Sequence, residues 1–234
     1  MNPQPTNWDD YGRERSPRGQ RSRYLHHRLA GRIVDRILKR LDRSLSVLDL
    51  GCGDGYYLDR LRELRFNDVV GVDPSGPMVE RCRERGLNAR RAALEDLPPC
   101  GDKDLVLLIQ VLEHVDDPGR ALDGIRGLLK SRGLLLLSVP VCDSFLSRYH
   151  RSRFGLNRME QVRAWDDTHR HAFSLEKLRS LLLDHGFRVE RAVHGSNPHP
   201  WVGSYGGKKL GALFQHLSWG GRFGDILVVL ARRD

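Results

Sequence analysis

The stretch VLDLGCGDGYYLDRL, Val47 to Leu61, decides the fold. An apolar run enters it and an amphipathic pattern leaves it, with Asp49, Gly51, Gly53 and Gly55 between. Strand, tight turn and helix in that order open a doubly wound sheet, and ligands bind such sheets beyond the carboxyl ends of the strands. Glycines let the backbone turn sharply and come close to a ligand, while the helix start offers unpaired N–H groups. A dinucleotide fingerprint would need G-x-G-x-x-G, but Tyr56 takes the place of its third glycine. The pattern is D-x-G-x-G-x-G, led by an acid.

Outward from this turn, strand and helix signals alternate. SVLDL (46–50) reads as a strand and Tyr56 to Leu64 as a helix. DVVGVD (68–73) is the next strand, followed by a helix from Gly76 to Arg85 that Gly86 stops. NARRAA (88–93) is a weak strand, DLVLLIQ (104–110) a strong one, and Pro118 to Lys130 a helix. GLLLLSV (133–139) is a strand, and Leu175 to His185 a helix capped by Ser174 and stopped by Gly186. FRVERAV (187–193) and DILVVLA (225–231) close the chain as strands. This alternation predicts an α/β fold: a Rossmann-like, doubly wound sheet of seven mostly parallel strands with helices on both faces. The last two strands lack a helix pattern of ordinary crossover length between them, so the final one is expected to run antiparallel.

That domain occupies residues 45–234. Ahead of it, residues 1–20 lack periodicity and read as a mobile arm. Leu25, Leu29, Ile33, Ile37 and Leu41 then recur at helical spacing among arginines, which predicts an amphipathic cap helix from Tyr24 to Leu41. Two insertions interrupt the alternation, at about 143–168 and 195–224. In the second, Leu210, Leu213, Phe214 and Leu217 share one helical face, suited to the domain's own core or to a second subunit, so a homodimer is one expectation.

The 234 residues, 39% hydrophobic and 29% charged, suffice for one domain with a sizeable core. No stretch reaches the roughly 20 apolar residues of a membrane span. The N-terminus MNPQPTNWDD lacks the apolar centre of a secretory signal. Cys52, Cys82, Cys100 and Cys142 form no CxxC pair, which points away from a disulfide framework or zinc site and toward a reduced, cytoplasmic protein. The formal net charge of +9 suits an anionic partner such as RNA or a phosphorylated substrate, or is simply a solvated surface.

An acid just ahead of the glycine turn repels a pyrophosphate and suits a ligand with a cationic end. S-adenosylmethionine, with its ammonium, carboxylate and sulfonium, meets that requirement. Asp73 ends the next strand, where a carboxylate can accept both ribose hydroxyls, and no neighbouring arginine favours a 2′-phosphate. Tyr56 and Asp49 together oppose a nicotinamide dehydrogenase.

Four more blocks follow in order: GVDPSGPM (71–78), ALEDLP (93–98), QVLEHVDDP (110–118) and HRHAFSLEKLRSLL (169–182). With VLDLGCGDG they resemble the class I S-adenosylmethionine-dependent methyltransferases, especially the ubiquinone-type O-methyltransferase branch (methyltransferase type 11/23). The resemblance covers roughly residues 45–194 and the last strand. It implies that Asp49, Gly51, Cys52 and Gly53 line the methionine end of the cofactor, with Asp73 and Pro74 at the ribose. Met78, Leu94 and Glu95 would lie by the adenine, and Gln110 under the sulfonium. Many relatives carry an Asp where Ala93 stands, which shifts adenine recognition here to backbone groups or Glu95.

Methyl transfer from a sulfonium needs in-line alignment, exclusion of water and removal of the acceptor's proton. His114 and His169 are the candidate catalytic bases, since an imidazole of near-neutral pKa suits the task; packing or pocket shaping is the alternative for each. Cys100 and Cys142 lack the sequence contexts of cytosine-5 attack, and no Asn/Asp-Pro-Pro-aromatic run for amino methylation of adenine follows the fourth strand. Small-RNA 2′-O-methyltransferases resemble this branch and hold a divalent ion with E-x-x-E-H and a distant histidine. Here Gln110 replaces the first carboxylate ahead of Glu113 and His114, removing an anionic ligand from a hard-cation site. No metal is therefore expected; His169, His171, Asp166 and Asp167 are the residues that would complete such a site. The expected function is methyl transfer to an oxygen of a small-molecule or lipid-linked acceptor. The alternatives are a 2′-O RNA methyltransferase, with or without a metal, and a non-catalytic S-adenosylmethionine-binding partner subunit.

Overall fold

The computed structural model describes residues 6–14, 31–143, 145–160, 166–195 and 226–234. The β-rich runs become β1 (Ser46–Leu50), β2 (Asp68–Asp73), β3 (Ala89–Arg91), β4 (Lys103–Ile109), β5 (Leu129–Pro140), β6 (Phe187–Gly195) and β7 (Ile226–Arg233). They form one sheet in the order β3-β2-β1-β4-β5-β7-β6. The pairs from β3 through β5 are parallel. β7 runs antiparallel to both β5 and β6, as the missing crossover helix predicts. The chain winds from β1 to β2 and β3, then returns to β4 on the other side of β1. This reversal opens a crevice beyond the carboxyl ends of β1 and β4.

The helices are α1 (Trp8–Glu14), α2 (residues 31–38), α3 (Tyr56–Glu63), α4 (Gly76–Glu84), α5 (Pro118–Leu128), α6 (Phe145–Phe154) and α7 (Leu175–Asp184). Alternate residues of the central strands serve opposite faces, as the period of two requires. Leu48, Val106, Leu108, Leu135 and Leu137 pack with Leu122 and Ile125 of α5 and Leu178 and Leu182 of α7. Val47, Leu105, Leu107 and Leu136 pack with Val34 and Leu38 of α2 and Tyr57 and Leu61 of α3. Each fully buried leucine contributes roughly 1.5–3 kcal/mol, so both helix layers are held by the same strands.

The caps follow the sequence. Asp117 accepts from the backbone N–H groups of Gly119 at 2.9 Å and Arg120 at 3.0 Å, with Pro118 opening α5. The Ser174 hydroxyl accepts from the Lys177 N–H at 3.1 Å. Three expectations change. Within the stretch read as an aperiodic arm, Trp8–Glu14 is helical. The cap helix ends at residue 38 rather than Leu41, because the Arg43 guanidinium donates to the carbonyls of Leu38 (2.6 Å), Leu41 (2.9 Å) and Lys39 (2.9 Å) and satisfies the helix end. Its first half, 24–30, lies outside the described residues. Finally, α5 stops at Leu128 and β5 starts at once, since Leu129 pairs with Lys103 and the Lys130 ammonium reaches Asp104 at 2.9 Å. Of the two insertions, the first contains α6, and the second, apart from Gly195, lies outside the described residues, including the Leu210–Leu217 face.

Candidate functional site

The glycine turn is shaped by backbone geometry and by what packs behind it. Gly51, Gly53 and Gly55 all have positive φ, at 73°, 54° and 89°. A Cβ on Gly51 would stand 2.4 Å from Val111 Cγ2, so the turn is pressed against the segment that follows β4. At Gly53 the reverse holds: no described atom lies within 4 Å of where a Cβ would be. The turn is tied to β2, with the N–H groups of Gly51 and Cys52 donating to the Val72 carbonyl at 2.8 and 3.1 Å.

Asp49 lies at the bottom of this turn. It is 2% exposed, and its Oδ2 is buried without a hydrogen-bond partner among the described residues. Burial, reinforced by the nearby Asp73 charge, pushes its pKa up to about 7. An orphaned buried carboxylate oxygen is the partner an ammonium needs, so the residues fit the cationic end of S-adenosylmethionine. Asp73 is also buried, and desolvation raises its pKa despite the N–H donors that favour its charge. Those donors are Gly53 N–H to Oδ2 at 2.8 Å and Ser75 N–H to Oδ1 at 2.9 Å. Each carboxylate oxygen keeps one further lone-pair direction for a ribose hydroxyl. Pro74 accepts from Arg91 through its carbonyl at 3.2 Å, and Met78 is buried beneath the rim. Leu94 and Glu95 sit on a short 3₁₀ turn, Leu94 packed on the core and Glu95 exposed. Cys52 is buried, its thiol 3.8 Å from the Gly53 carbonyl.

The N-terminal helix closes over this rim, which the sequence alone did not reveal. Ser75, the N-cap of α4, makes no side-chain cap bond; instead Asp9 Oδ1 accepts from the Gly76 N–H at 2.8 Å. Asp9 also pairs with Arg91 at 2.9 Å. Gly12 leaves just enough room, since a Cβ there would stand 2.2 Å from Ser75 Oγ. From the same helix, Trp8 meets the His114 ring edge-on with centroids 6.0 Å apart, and the Tyr11 hydroxyl lies 3.4 Å from Asp166 Oδ2. α1 therefore bridges the start of α4 and the histidines.

On the β4 side, Gln110 has φ of 57°, an uncommon conformation for a residue with a side chain. Its Nε2 donates to Ser138 Oγ at 3.1 Å. Glu113 is fully buried with neither carboxylate oxygen partnered among the described residues, and burial pushes its pKa up to about 8. The Glu113 carbonyl accepts from the N–H groups of Arg170 (2.8 Å) and His171 (3.2 Å), and this stitching brings distant segments together. His114 and His169, the two predicted bases, lie with ring centroids 4.8 Å apart. One ligand atom each from Glu113, His114 and His169 falls within 4.8 Å of the others, so these three are the described residues best placed to hold a cation. His171 is outside that group: its Nε2 lies 2.8 Å from the Val115 carbonyl, a structural contact. Asp166 accepts from the Thr168 hydroxyl at 2.6 Å. Cys142 is buried and Cys100 exposed. A separate cavity of about 430 Å³ over α3 is lined by Asp35, Asp59, Arg60, Glu63 and Arg85, whose charges pair among themselves. It lies beside the glycine turn, since Tyr56 also lines it and the Arg85 guanidinium donates to the Asp54 carbonyl.

Comparison with known proteins agrees with this geometry. A family model described as a methyltransferase domain matches residues 21–192. A probable S-adenosylmethionine-dependent methyltransferase of Mycobacterium tuberculosis is 30% identical over 179 residues, 75% of this chain and 57% of that protein. The mitochondrial ubiquinone biosynthesis O-methyltransferase of Candida albicans is 37% identical over 108 residues, 42% of this chain and 33% of that protein. The chain thus matches between a third and three-fifths of the length of these relatives. Among solved structures, the complex between the Haloferax volcanii Trm112 methyltransferase activator and a methyltransferase shares the fold, with a TM-score of 0.69, 19% identity and 97% of both chains covered. The acid-led glycine turn and the family match converge: the chain belongs to the methyltransferase-domain family and has the class I methyltransferase fold.

Proposed function

We propose that this enzyme methylates a hydroxyl oxygen of a small-molecule or lipid-linked acceptor. Bound S-adenosylmethionine supplies an electrophilic methyl group on its sulfonium, so the chain's own residues have three tasks: holding the donor, excluding water and accepting a proton. Asp49 and the glycine turn hold the ammonium end, Asp73 the ribose, and Met78 with Leu94 the adenine side. α1 lies over the rim and excludes water. The observation that carries the oxygen assignment is the pair of imidazoles, His114 and His169, with centroids 4.8 Å apart at the carboxyl end of β4. A hydroxyl must lose its proton as it is methylated, and an imidazole is the side chain suited to take it near neutral pH. The O-methyltransferase of Candida albicans adds support by similarity.

The test is transfer of a tritiated methyl group to a panel of phenols, hydroxylated quinones, polyprenylated phenols, amines and RNA. The reading expects label in an organic-extractable ether, with a loss of at least tenfold in His169→Ala. Label confined to amines would refute it. A second reading, metal-assisted 2′-O methylation of RNA, is favoured by the Glu113, His114 and His169 cluster, whose carboxylate has no partner among the described residues, and by the net charge of +9. It expects Mn²⁺ to bind in calorimetry, label to enter RNA, and RNA affinity to fall steeply with salt.

A further inference from the structure

Asp166, Thr168 and His114 form a chain of hydrogen bonds whose proton positions are fixed by chemistry. Thr168 Oγ1 lies 2.6 Å from Asp166 Oδ1 and 3.0 Å from His114 Nδ1. A hydroxyl has one proton to give, and a carboxylate can only accept, so that proton goes to Asp166. Toward the histidine the same oxygen must accept. The Thr168 carbonyl, 3.4 Å from His114 Nδ1, is likewise only an acceptor. Both Thr168 oxygens therefore call for a proton on that nitrogen. The Thr168 N–H also donates to Asp166 Oδ1 at 3.1 Å, which holds the turn in place.

We propose that Asp166 and Thr168 are positioning residues that lock His114 in its Nδ1–H tautomer, leaving the basic lone pair on Nε2, the nitrogen that takes the acceptor's proton. The assignment deepens the methyl-transfer reading and rests on it for the direction of proton flow. Without the relay a neutral histidine side chain favours the opposite, Nε2–H form, in which Nε2 has no lone pair to offer. Which nitrogen carries the proton is set by the hydrogen bond the other makes, and here that bond comes from a residue 54 positions away. The N-terminal helix completes the arrangement: Tyr11 reaches Asp166 Oδ2 at 3.4 Å, and Trp8 stands edge-on to the His114 ring. The base is thus held from three segments, with docking of α1 tied to its orientation.

Two-bond ¹H–¹⁵N correlation spectra of the full chain, labelled with ¹⁵N-histidine, treated with EDTA and recorded at pH 8, test this. The His114 signals are assigned by their loss in His114→Gln. The expected wild-type pattern is Nδ1–H; Thr168→Val moves the majority to Nε2–H, and Thr168→Ser restores the wild-type pattern. Should Thr168→Val fail to fold, Asp166→Asn serves instead, with a mixture of tautomers expected because the hydroxyl proton is no longer committed. An Nε2–H or doubly protonated His114 in the wild type overturns the proposal, as does a spectrum unchanged in both Thr168→Val and Asp166→Asn. S-adenosylhomocysteine calorimetry on the wild-type chain is the separate control. Absence of binding there removes the methyl-transfer reading, while the tautomer result decides the relay.

Discussion

Asp49 concentrates the argument in one side chain. Its buried Oδ2, without a partner among the described residues, and a pKa pushed up to about 7 by burial favour a partly protonated acid at neutral pH when no cation faces it. The sign follows from the raised value. Stability from this group is fully present below its ordinary value of 3.8 and is lost as pH rises through about 7. An ammonium reverses the preference, because it binds the charged form. Affinity for S-adenosylhomocysteine should therefore rise about tenfold per pH unit below 7 and level off above it. Asp49→Asn should bind weakly and lose that slope; a slope retained in the variant would assign it to another group. Gly51 is the second residue-scale test. Alanine there must adopt a φ of 73° and place its Cβ 2.4 Å from Val111. Strained backbone and overpacking each cost about 1–3 kcal/mol, and a urea midpoint equal to wild type would contradict the crowded turn. Asp49 and Gly51 stand out in the sequence because the glycine turn is local. Thr168 does not, because its role arises only when a segment 54 residues beyond His114 folds back onto it.

At the scale of elements, α1 is the least predictable piece. Seven residues are too few to sustain a helix in water, and no apolar periodicity announces one. Its contacts explain its presence: Asp9 caps α4 in place of Ser75, and Trp8 and Tyr11 reach the histidine side. Asp9→Ala should accelerate amide hydrogen exchange across Trp8–Glu14 by at least tenfold. The melting temperature should change little, since a partly exposed ion pair contributes about 1 kcal/mol or less. Equal exchange in variant and wild type would show that the helix is held by something other than its Asp9 contacts. The long strands and helices were readable from periodicity. Their ends depended on partners such as Arg43 and Lys130, which act across turns and cannot be seen in a local pattern.

For the whole molecule, the sheet order creates the site. Returning from β3 to β4 across β1 sets the glycine turn beside the QVLEHV segment, and Gly51 against Val111 is the physical join. Alternation of strands and helices was enough to expect the doubly wound, mostly parallel sheet with its antiparallel last strand, but not the strand order or this join. In the proposed reading, the cofactor side, led by Asp49 and Asp73, and the acceptor side, led by His114 and His169, meet at one rim. Among the described residues no helix is long and apolar enough to cross a membrane.

Calorimetric titration with S-adenosylhomocysteine, on the wild type and on Asp73→Ala, weighs the whole account most directly. One ligand per chain should bind, and loss of the charge-assisted bonds at Asp73 should weaken it about 10- to 100-fold, matching roughly 1.5–3 kcal/mol. No binding by the wild type, or displacement of the ligand by a nicotinamide dinucleotide, would contradict it.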